Sequence, residues 1–506
     1  MSLYFRFQIN SISIVNCAAR TFEMRLTAPD KSIAALKILL LIALAFFPLF
    51  LHLDRIPIQV FDEARPALNA YEMHKNGNYL VPLSGNKPPL LLWMQVIFFK
   101  LLGASALAVR LPSAIAAFLT ALTIVFFAVK YFESYWFGFV AALILLTTQG
   151  YISIHATRTG DYDSLLTFFT TLYLLSFFLF VEQGDRKYLH LFFIGLALSV
   201  LTKSVQGLLF IPGIIIYLIV QKKIRGLIKD KWFHIDLLLC IAVISGYYLL
   251  REYLTPGYLR AVSHTDMAGR YFTALDNHNP GFMFYFNLLV DKGYANWYWL
   301  IPCGIAIGCC INNPQLKRMT LFSALAIVTY WLVISFSQTK LEWYTVPLLP
   351  LLALVSAIPV FWLFSLLRNS QVIIPQFRFN IIPFAFLFIV FLHPYEKIID
   401  RVSKEYQHEQ EFYNIGYFLK WAAGREHSIQ NHYICYDGYN AHLLFYTNIL
   451  NDRGQQVGFK DWHHLTAGDM IIASQQPVQE YIERSYPHEV VRSYLNIKVY
   501  KIQEAA

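Results

Sequence analysis

Long apolar runs dominate the chain, and short polar stretches punctuate them. Eleven runs are candidate membrane spans, at about 36–53, 111–129, 135–154, 164–181, 188–202, 205–220, 235–250, 294–311, 319–337, 343–367 and 379–394. A helix needs roughly 20 residues to cross a bilayer, within a range of about 17–25, so the runs at 188–202 and 205–220 are short for the purpose. The run Leu90–Leu102 (LLLWMQVIFFKLL) is shorter still and ends at Lys100 and Gly103. It is expected to lie in the membrane interface instead of crossing. Beyond about residue 400 the pattern changes. A helical period over about 404–422 gives way to strand-like runs at Tyr433–Tyr436, Met470–Ala473 and Val490–Ile502. The pattern predicts an all-α polytopic membrane protein with interfacial helices in its first external loop, followed by a small soluble α/β domain. The expected partition is 1–35 as an N-terminal segment, 36–395 as the transmembrane domain and 396–506 as the soluble domain. No internal repeat or low-complexity segment is visible.

Composition agrees with the membrane reading. The chain has 506 residues, 57% hydrophobic and only 14% charged, against roughly 25% charged in soluble domains. The formal charge of +9 falls largely in short loops between apolar runs, which argues against a nucleic-acid partner. The six cysteines, Cys17, Cys240, Cys303, Cys309, Cys310 and Cys435, show no metal spacing, and most sit in apolar runs as small hydrophobes. Residues 1–30 are polar and lack a signal-peptide pattern with a cleavage site.

Charge also orients the chain. With Arg20, Arg25, Lys31 and Lys37 in the cytoplasm and 90–102 lying flat, the cytoplasmic loops include 221–234, which carries Lys222, Lys223, Arg225, Lys229 and Lys231. The loops at 312–318 and 368–378 are basic as well, as the positive-inside rule requires. The external segments are then 54–110, 155–163, 203–204, 251–293, 338–342 and everything after about 395. Nearly every candidate polar group falls there. Were 90–102 to cross, Asp163 would move to the side opposite Asp62.

Several constellations on that side can carry chemistry. Asp62-Glu63 offers a general base with a supporting carboxylate for an attacking hydroxyl; a helix start with acids near its first turn accounts for the same pair. Lys87 precedes Pro88-Pro89, which fixes extended backbone before it. A lysine held there can bind a lipid phosphate as a point charge, or simply reach the head groups. Arg158 to Asp163 (RTGDYD) places Asp163 at the start of the next helix, where capping is the competing role. Lys203 sits in a very short turn at membrane depth, where ionisable groups are costly. The loop 251–293 carries His264, Arg270 and His278, with no two histidines at zinc spacing. Lys340, Glu342 and Tyr344 lie together in SQTKLEWY, between two apolar runs.

The run FDEARPALNAYEMHKNGNYLVPLSGNKPPLLLWMQVIFFKLLG, followed by VRLPSAIAA, resembles the first external loop and second span of bacterial GT-C glycosyltransferases. These form the protein O-mannosyltransferase superfamily, and the likeness is to relatives of the lipid A 4-amino-4-deoxy-L-arabinose transferases. RTGDYDSLLTFF, LTKSVQGLL, GRYFTALDNHNPGFMFY and SQTKLEWYTVPLLPLLAL follow in the family's order over about residues 36–367. The resemblance implies a GT-C fold of about 11 to 13 transmembrane helices. It implies transfer of one sugar, usually with inversion, from a polyprenyl phosphate at the periplasmic face of a bacterial inner membrane. By the same resemblance Asp62 is the base, Glu63 its neighbour and Asp163 the second external acid. Lys87 meets the donor phosphate, with Lys203, Arg270 and Lys340 around it. Arg158, His264, His278, Glu342 and Tyr344 are further candidates for substrate binding. Those transferases usually carry Glu before the lysine, where this chain has Asn86. The difference weakens a metal site there and points to a hydroxyl acceptor in place of a lipid A phosphate.

The expected function is therefore a glycosyltransferase moving a hexosyl or pentosyl group from a polyprenyl-phosphate donor to a lipid, glycan or protein acceptor. The donor is already a phosphodiester, so no cofactor is obligatory; a divalent metal is compatible but unsupported by the sequence. The rival reading is a transporter or flippase of lipid-linked saccharides. That class is expected to place polar groups near the bilayer midplane, often within inverted repeats. A third is a non-catalytic partner in an envelope assembly.

Overall fold

The computed structural model of the chain describes residues 31–267, 269–272, 280–369, 381–404, 410–424 and 429–504. They form two compact units. One comprises Met1–Leu49, Ile115–Thr157 and Tyr162–Ile399; the other comprises Phe50–Ala114, Arg158–Asp161 and Asp400–Ala506. This division departs from the linear partition at 395/396, because the first polar loop shares its core with the C-terminal residues.

The first unit is helical. Among the described residues, seven helical stretches are long and apolar enough to cross a membrane: Ala106–Phe132 (most of which lies in this unit), Tyr162–Gln183, Arg186–Leu208, Lys231–Leu254, Pro314–Phe336, Glu342–Arg368 and Ile382–Lys404. The first apolar stretch forms the helix Lys31–Phe50. Three other expected spans are shorter than the apolar pattern suggests: Tyr135–Leu146, Ile211–Val220 and Leu300–Cys310. Side chains explain the first of these, since the Thr147 and Thr148 hydroxyls donate back to the Leu143 and Ile144 carbonyls as the helix ends. The second is preceded by a break at Ser204, whose φ of 56° ends the preceding helix and starts a 3-10 turn over Ser204–Leu208.

Helices of this kind gain little from apolar burial against one another and pack through close approach. A Cβ on Gly138 would lie 2.7 Å from the Val125 Cα, and one on Gly304 would lie 2.1 Å from the Val355 carbonyl oxygen. Neither crossing tolerates a larger residue. Lys231–Leu254 and Ile382–Lys404 leave Leu238, Leu239, Phe388 and Ile389 exposed, whereas Leu349–Ile358 is buried almost throughout. The former are faces for lipid; the latter forms the interior of the unit.

The second unit is built on a five-stranded sheet. Its strands are β1 (His432–Ile434), β2 (Val457–Phe459), β3 (Met470–Ala473), β4 (His488–Tyr494) and β5 (Ile497–Ile502), in the order β2-β1-β3-β5-β4. β1 pairs parallel with β2 and β3, and β5 pairs antiparallel with β3 and β4. Alternate residues face opposite sides, as strand geometry requires. Ile434, Ile472 and Val499 join one core, while Cys435, Ile471, Ala473 and Tyr500 join a second core with Val478 and Ile482 of the helix Gln476–Ser485. The first core also takes in Ala67, Leu68 and Tyr71 of the helix Ala64–Asn76, and Leu92, Val96 and Phe99 of the helix Leu90–Leu102. The latter helix has 13 residues and is too short to cross. One face of it is buried in this core, and Ile97, Leu101 and Leu102 are exposed on the rest. The backbone N–H of Ile58 donates to the Tyr446 hydroxyl at 2.9 Å, tying the loop to the helix Ala441–Asp452.

Candidate functional site

The adjacent acids at 62 and 63 have different fates. Glu63 is 1% exposed. Its carboxylate receives the Arg110 Nε at 2.6 Å and Nη2 at 2.7 Å. It also accepts the backbone N–H of Gln59 and of Gly160, each at 2.8 Å. Arg110 spends its remaining donors on the carbonyls of Leu53, Ile56 and Pro57, at 2.8–2.9 Å. A carboxylate filled in this way has no lone pair left for a substrate proton. Glu63, expected as the neighbour of the base, is thus engaged within the protein: with Arg110 it fastens the 53–63 loop. Gln95 adds to this frame, donating to the carbonyls of Val109 and Gly160 at 3.2 and 3.1 Å.

Asp62 is half-buried and follows Phe61, whose φ is 65°. For a bulky residue that is an outlier, and strained backbone of this kind clusters at functional positions. A carboxylate oxygen of Asp62 lies within 4.8 Å of one from Asp161. These two can share a cation, but alone they supply fewer oxygens than Ca²⁺ or Mg²⁺ takes. Lys87 is half-buried in the same unit, two residues beyond Gly85, where a Cβ would lie 3.5 Å from the Arg65 Cδ. Arg158 is buried and donates to the Leu51 carbonyl at 2.8 Å.

The other expected residues lie in the helical unit. Asp163 stands in the first turn of the helix Tyr162–Gln183. Both of its carboxylate oxygens receive the Lys203 ammonium, at 2.5 and 2.6 Å, and both residues are buried. That ammonium also lies 5.6 Å from the centre of the Tyr344 ring, within cation–π range. Asp163, expected as the second external acid, and Lys203, expected at the donor phosphate, thus form a buried ion pair with each other. Lys340 is buried and donates to the Ser337 carbonyl at 2.6 Å, and burial draws its pKa below the usual lysine range. Glu342 is exposed and lines an open cleft of about 350 Å³ with Asn287, Asp291 and Lys292. His264 is exposed on the π-helical turn Ser263–Met267, and Arg270 belongs to the short helix Gly269–Phe272. His278 lies outside the described residues.

Comparison with known proteins agrees with this architecture. Residues 86–248 match the family described as dolichyl-phosphate-mannose-protein mannosyltransferase. A curated relative is the undecaprenyl phosphate-alpha-4-amino-4-deoxy-L-arabinose arabinosyl transferase of Aeromonas salmonicida. It is 28% identical over 328 residues, covering 62% of this chain and 58% of that protein. The matches span less than two thirds of the length of the curated relatives. The crystal structure of ArnT from Cupriavidus metallidurans bound to undecaprenyl phosphate aligns with a TM-score of 0.63 at 16% identity, covering 92% of this chain and 97% of ArnT. The archaeal oligosaccharyltransferase AglB from Archaeoglobus fulgidus, solved with an inhibitory peptide and a dolichol-phosphate, aligns at 0.51 with 12% identity, over 82% of this chain and 63% of AglB. At these identities the structural likeness concerns the fold. The chain is thus a multi-pass membrane protein with the GT-C fold, resembling the protein O-mannosyltransferase superfamily and, within it, the arabinosyl transferases named above.

Proposed function

We propose that the protein transfers a sugar from a polyprenyl-phosphate donor to an acceptor hydroxyl at the periplasmic face of a bacterial inner membrane. The observation that carries this is the contrast within the acidic pair. Glu63 is locked by Arg110 and two backbone amides, and Asp62 is held beside it on a strained, half-exposed turn. A preorganised carboxylate on a braced loop suits a general base. The same unit carries Lys87, suited to a phosphate. The relatives' names, which specify a sugar carried on undecaprenyl phosphate, support the donor class.

In the step envisaged, the acceptor oxygen attacks the anomeric carbon and its proton passes to Asp62. The bond from that carbon to the phosphate oxygen breaks, with its electron pair leaving on the polyprenyl phosphate. Lys87 stabilises that developing charge. Because Lys203 is engaged by Asp163, we assign those two to ordering the helical unit, with Tyr344 against them. Purified protein mixed with polyprenyl-phosphate sugars and envelope extract tests the reading. Transfer that needs both is expected; no transfer with any donor would refute it. Mass spectrometry of envelope glycolipids and glycans from a deletion strain would name sugar and acceptor together.

A further inference from the structure

The turn before Asp62 carries a second device. Phe61 is 56% exposed despite being apolar, and its ring stacks on Tyr439 with centroids 4.8 Å apart and planes 24° from parallel. Stacking engages one face of the ring. Tyr439 does not come from a random surface loop. It lies in the segment 435–440 that leaves the carboxyl end of β1, the central strand of the parallel trio β2-β1-β3. The chain departs β1 towards β2 on one side, and β3 lies on the other. In open α/β sheets ligands bind in the crevice outside the strands' carboxyl ends, where the order switches in this way.

The segment is held in place. Gln475, at the end of β3, accepts the Asp437 backbone N–H at 2.6 Å and returns a hydrogen bond to the Asp437 carbonyl at 2.9 Å. Tyr446 anchors the chain beyond it to Ile58. Asp62 and Arg65 follow Phe61 in sequence, and burial pushes the Tyr439 hydroxyl above its usual pKa, with the Arg65 guanidinium pulling it down and the Asp62 carboxylate pushing it up. An exposed aromatic face, an arginine, a phenol and a carboxylate therefore converge on one turn. An apolar face rimmed by a few polar groups is the usual make-up of a small-molecule subsite, and it suits a pyranose, whose C–H faces are apolar and whose edges bear hydroxyls.

We propose that Phe61, Arg65 and Tyr439 form the acceptor subsite, that the acceptor is a carbohydrate, and that its ring lies on Phe61 with one hydroxyl presented to Asp62. The proposal rests on the glycosyl-transfer reading above and narrows its acceptor to a saccharide. It makes the sheet domain a positioning element for the substrate.

The test uses the full-length protein in detergent, a polyprenyl-phosphate sugar and graded amounts of envelope extract from a deletion strain. Phe61→Ala and Tyr439→Ala are each expected to raise the half-saturating amount of extract about tenfold, leaving the half-saturating donor concentration within about twofold. Phe61→Trp, which keeps a stacking face, is expected to restore most of the loss, and Tyr439→Phe to fall between. Equal loss of saturating rate without a shift in acceptor saturation would assign Phe61 a merely structural role and overturn the proposal. So would a product whose new sugar sits on a peptide or on a lipid without a saccharide. Failure of the wild-type protein to transfer at all would refute the parent reading and this inference with it; transfer with unmoved acceptor saturation refutes only this one.

Discussion

Removing the Arg110 guanidinium tests the bracing role of the buried pair most directly. In Arg110→Met the side chain keeps its bulk and loses all its donors. The Glu63 carboxylate retains only the amides of Gln59 and Gly160, and the carbonyls of Leu53, Ile56 and Pro57 lose their donor. Both partners are at most 2% exposed, so solvent offers little compensation. Breaking such a pair by removing one member costs about 3–5 kcal/mol. At about 1.4 kcal/mol per tenfold, that raises local opening by two to three powers of ten or more. Hydrogen exchange followed by mass spectrometry reads this in the peptides holding Gln59 and Gly160, whose amides bond to Glu63. Arg110→Lys is expected to recover little, because one ammonium cannot replace a five-donor fork. The double variant Glu63→Met/Arg110→Met should cost less than the sum of its two single changes. Unaltered exchange at Gln59 and Gly160 in Arg110→Met would refute the bracing role.

Asp62→Asn should lower the transfer rate by about 10²–10⁴-fold with unchanged thermal melting; full activity would remove Asp62 as base. Lys87→Ala should raise the half-saturating donor concentration about tenfold and leave acceptor saturation alone, and equal saturation curves would dismiss the phosphate role. In the helical unit, Lys203→Met takes the ammonium away from the buried Asp163 carboxylate and is expected to cost about 3–5 kcal/mol, seen as early aggregation on heated size-exclusion chromatography. Adding Asp163→Asn should reverse most of that; no change in Lys203→Met would show the pair to be idle. His442 is 1% exposed, and burial draws its pKa down to about 4 from the usual 6.5. The unfolded chain therefore binds the proton first, and stability present above pH 6.5 declines as pH falls towards 4, by about 3 kcal/mol in total. His442→Leu should flatten that slope in denaturation of the purified protein between pH 7 and pH 4.5.

Apolar runs made the helices legible, and strand-like runs found β1 and β3, because both patterns are local; but the run Val490–Ile502 is the hairpin β4–β5, and the three-residue β2 (Val457–Phe459) was too short to show. The site was legible only in part. Sequence placed Asp62 and Glu63 together but could not tell which points inward; burial decides that, and it is fixed by Arg110, 47 positions away. Arg110 itself sits in the apolar segment VRLPSAIAA, and only its charge at the head of a span could have drawn attention to it. Asp163 looked like a helix cap because its partner Lys203 comes 40 residues later. Tyr439 carried no local signal, since its meaning comes from the strand order of the sheet and from a ring nearly 380 residues upstream.

The bond from Ile58 to Tyr446 spans 388 positions, and this sets a timetable for biogenesis. The first loop emerges early in synthesis but finds half of its core only when the end of the chain arrives. At 5–20 residues per second, that wait is roughly 20–80 s. During it, Ala67, Leu68, Val96 and Phe99 have no cover from Leu443 or Phe445, with which they share a core in the finished protein. Even a modest C-terminal truncation should therefore behave as a failure of the N-terminal loop to mature, leaving spans that insert normally around a loop open to proteases.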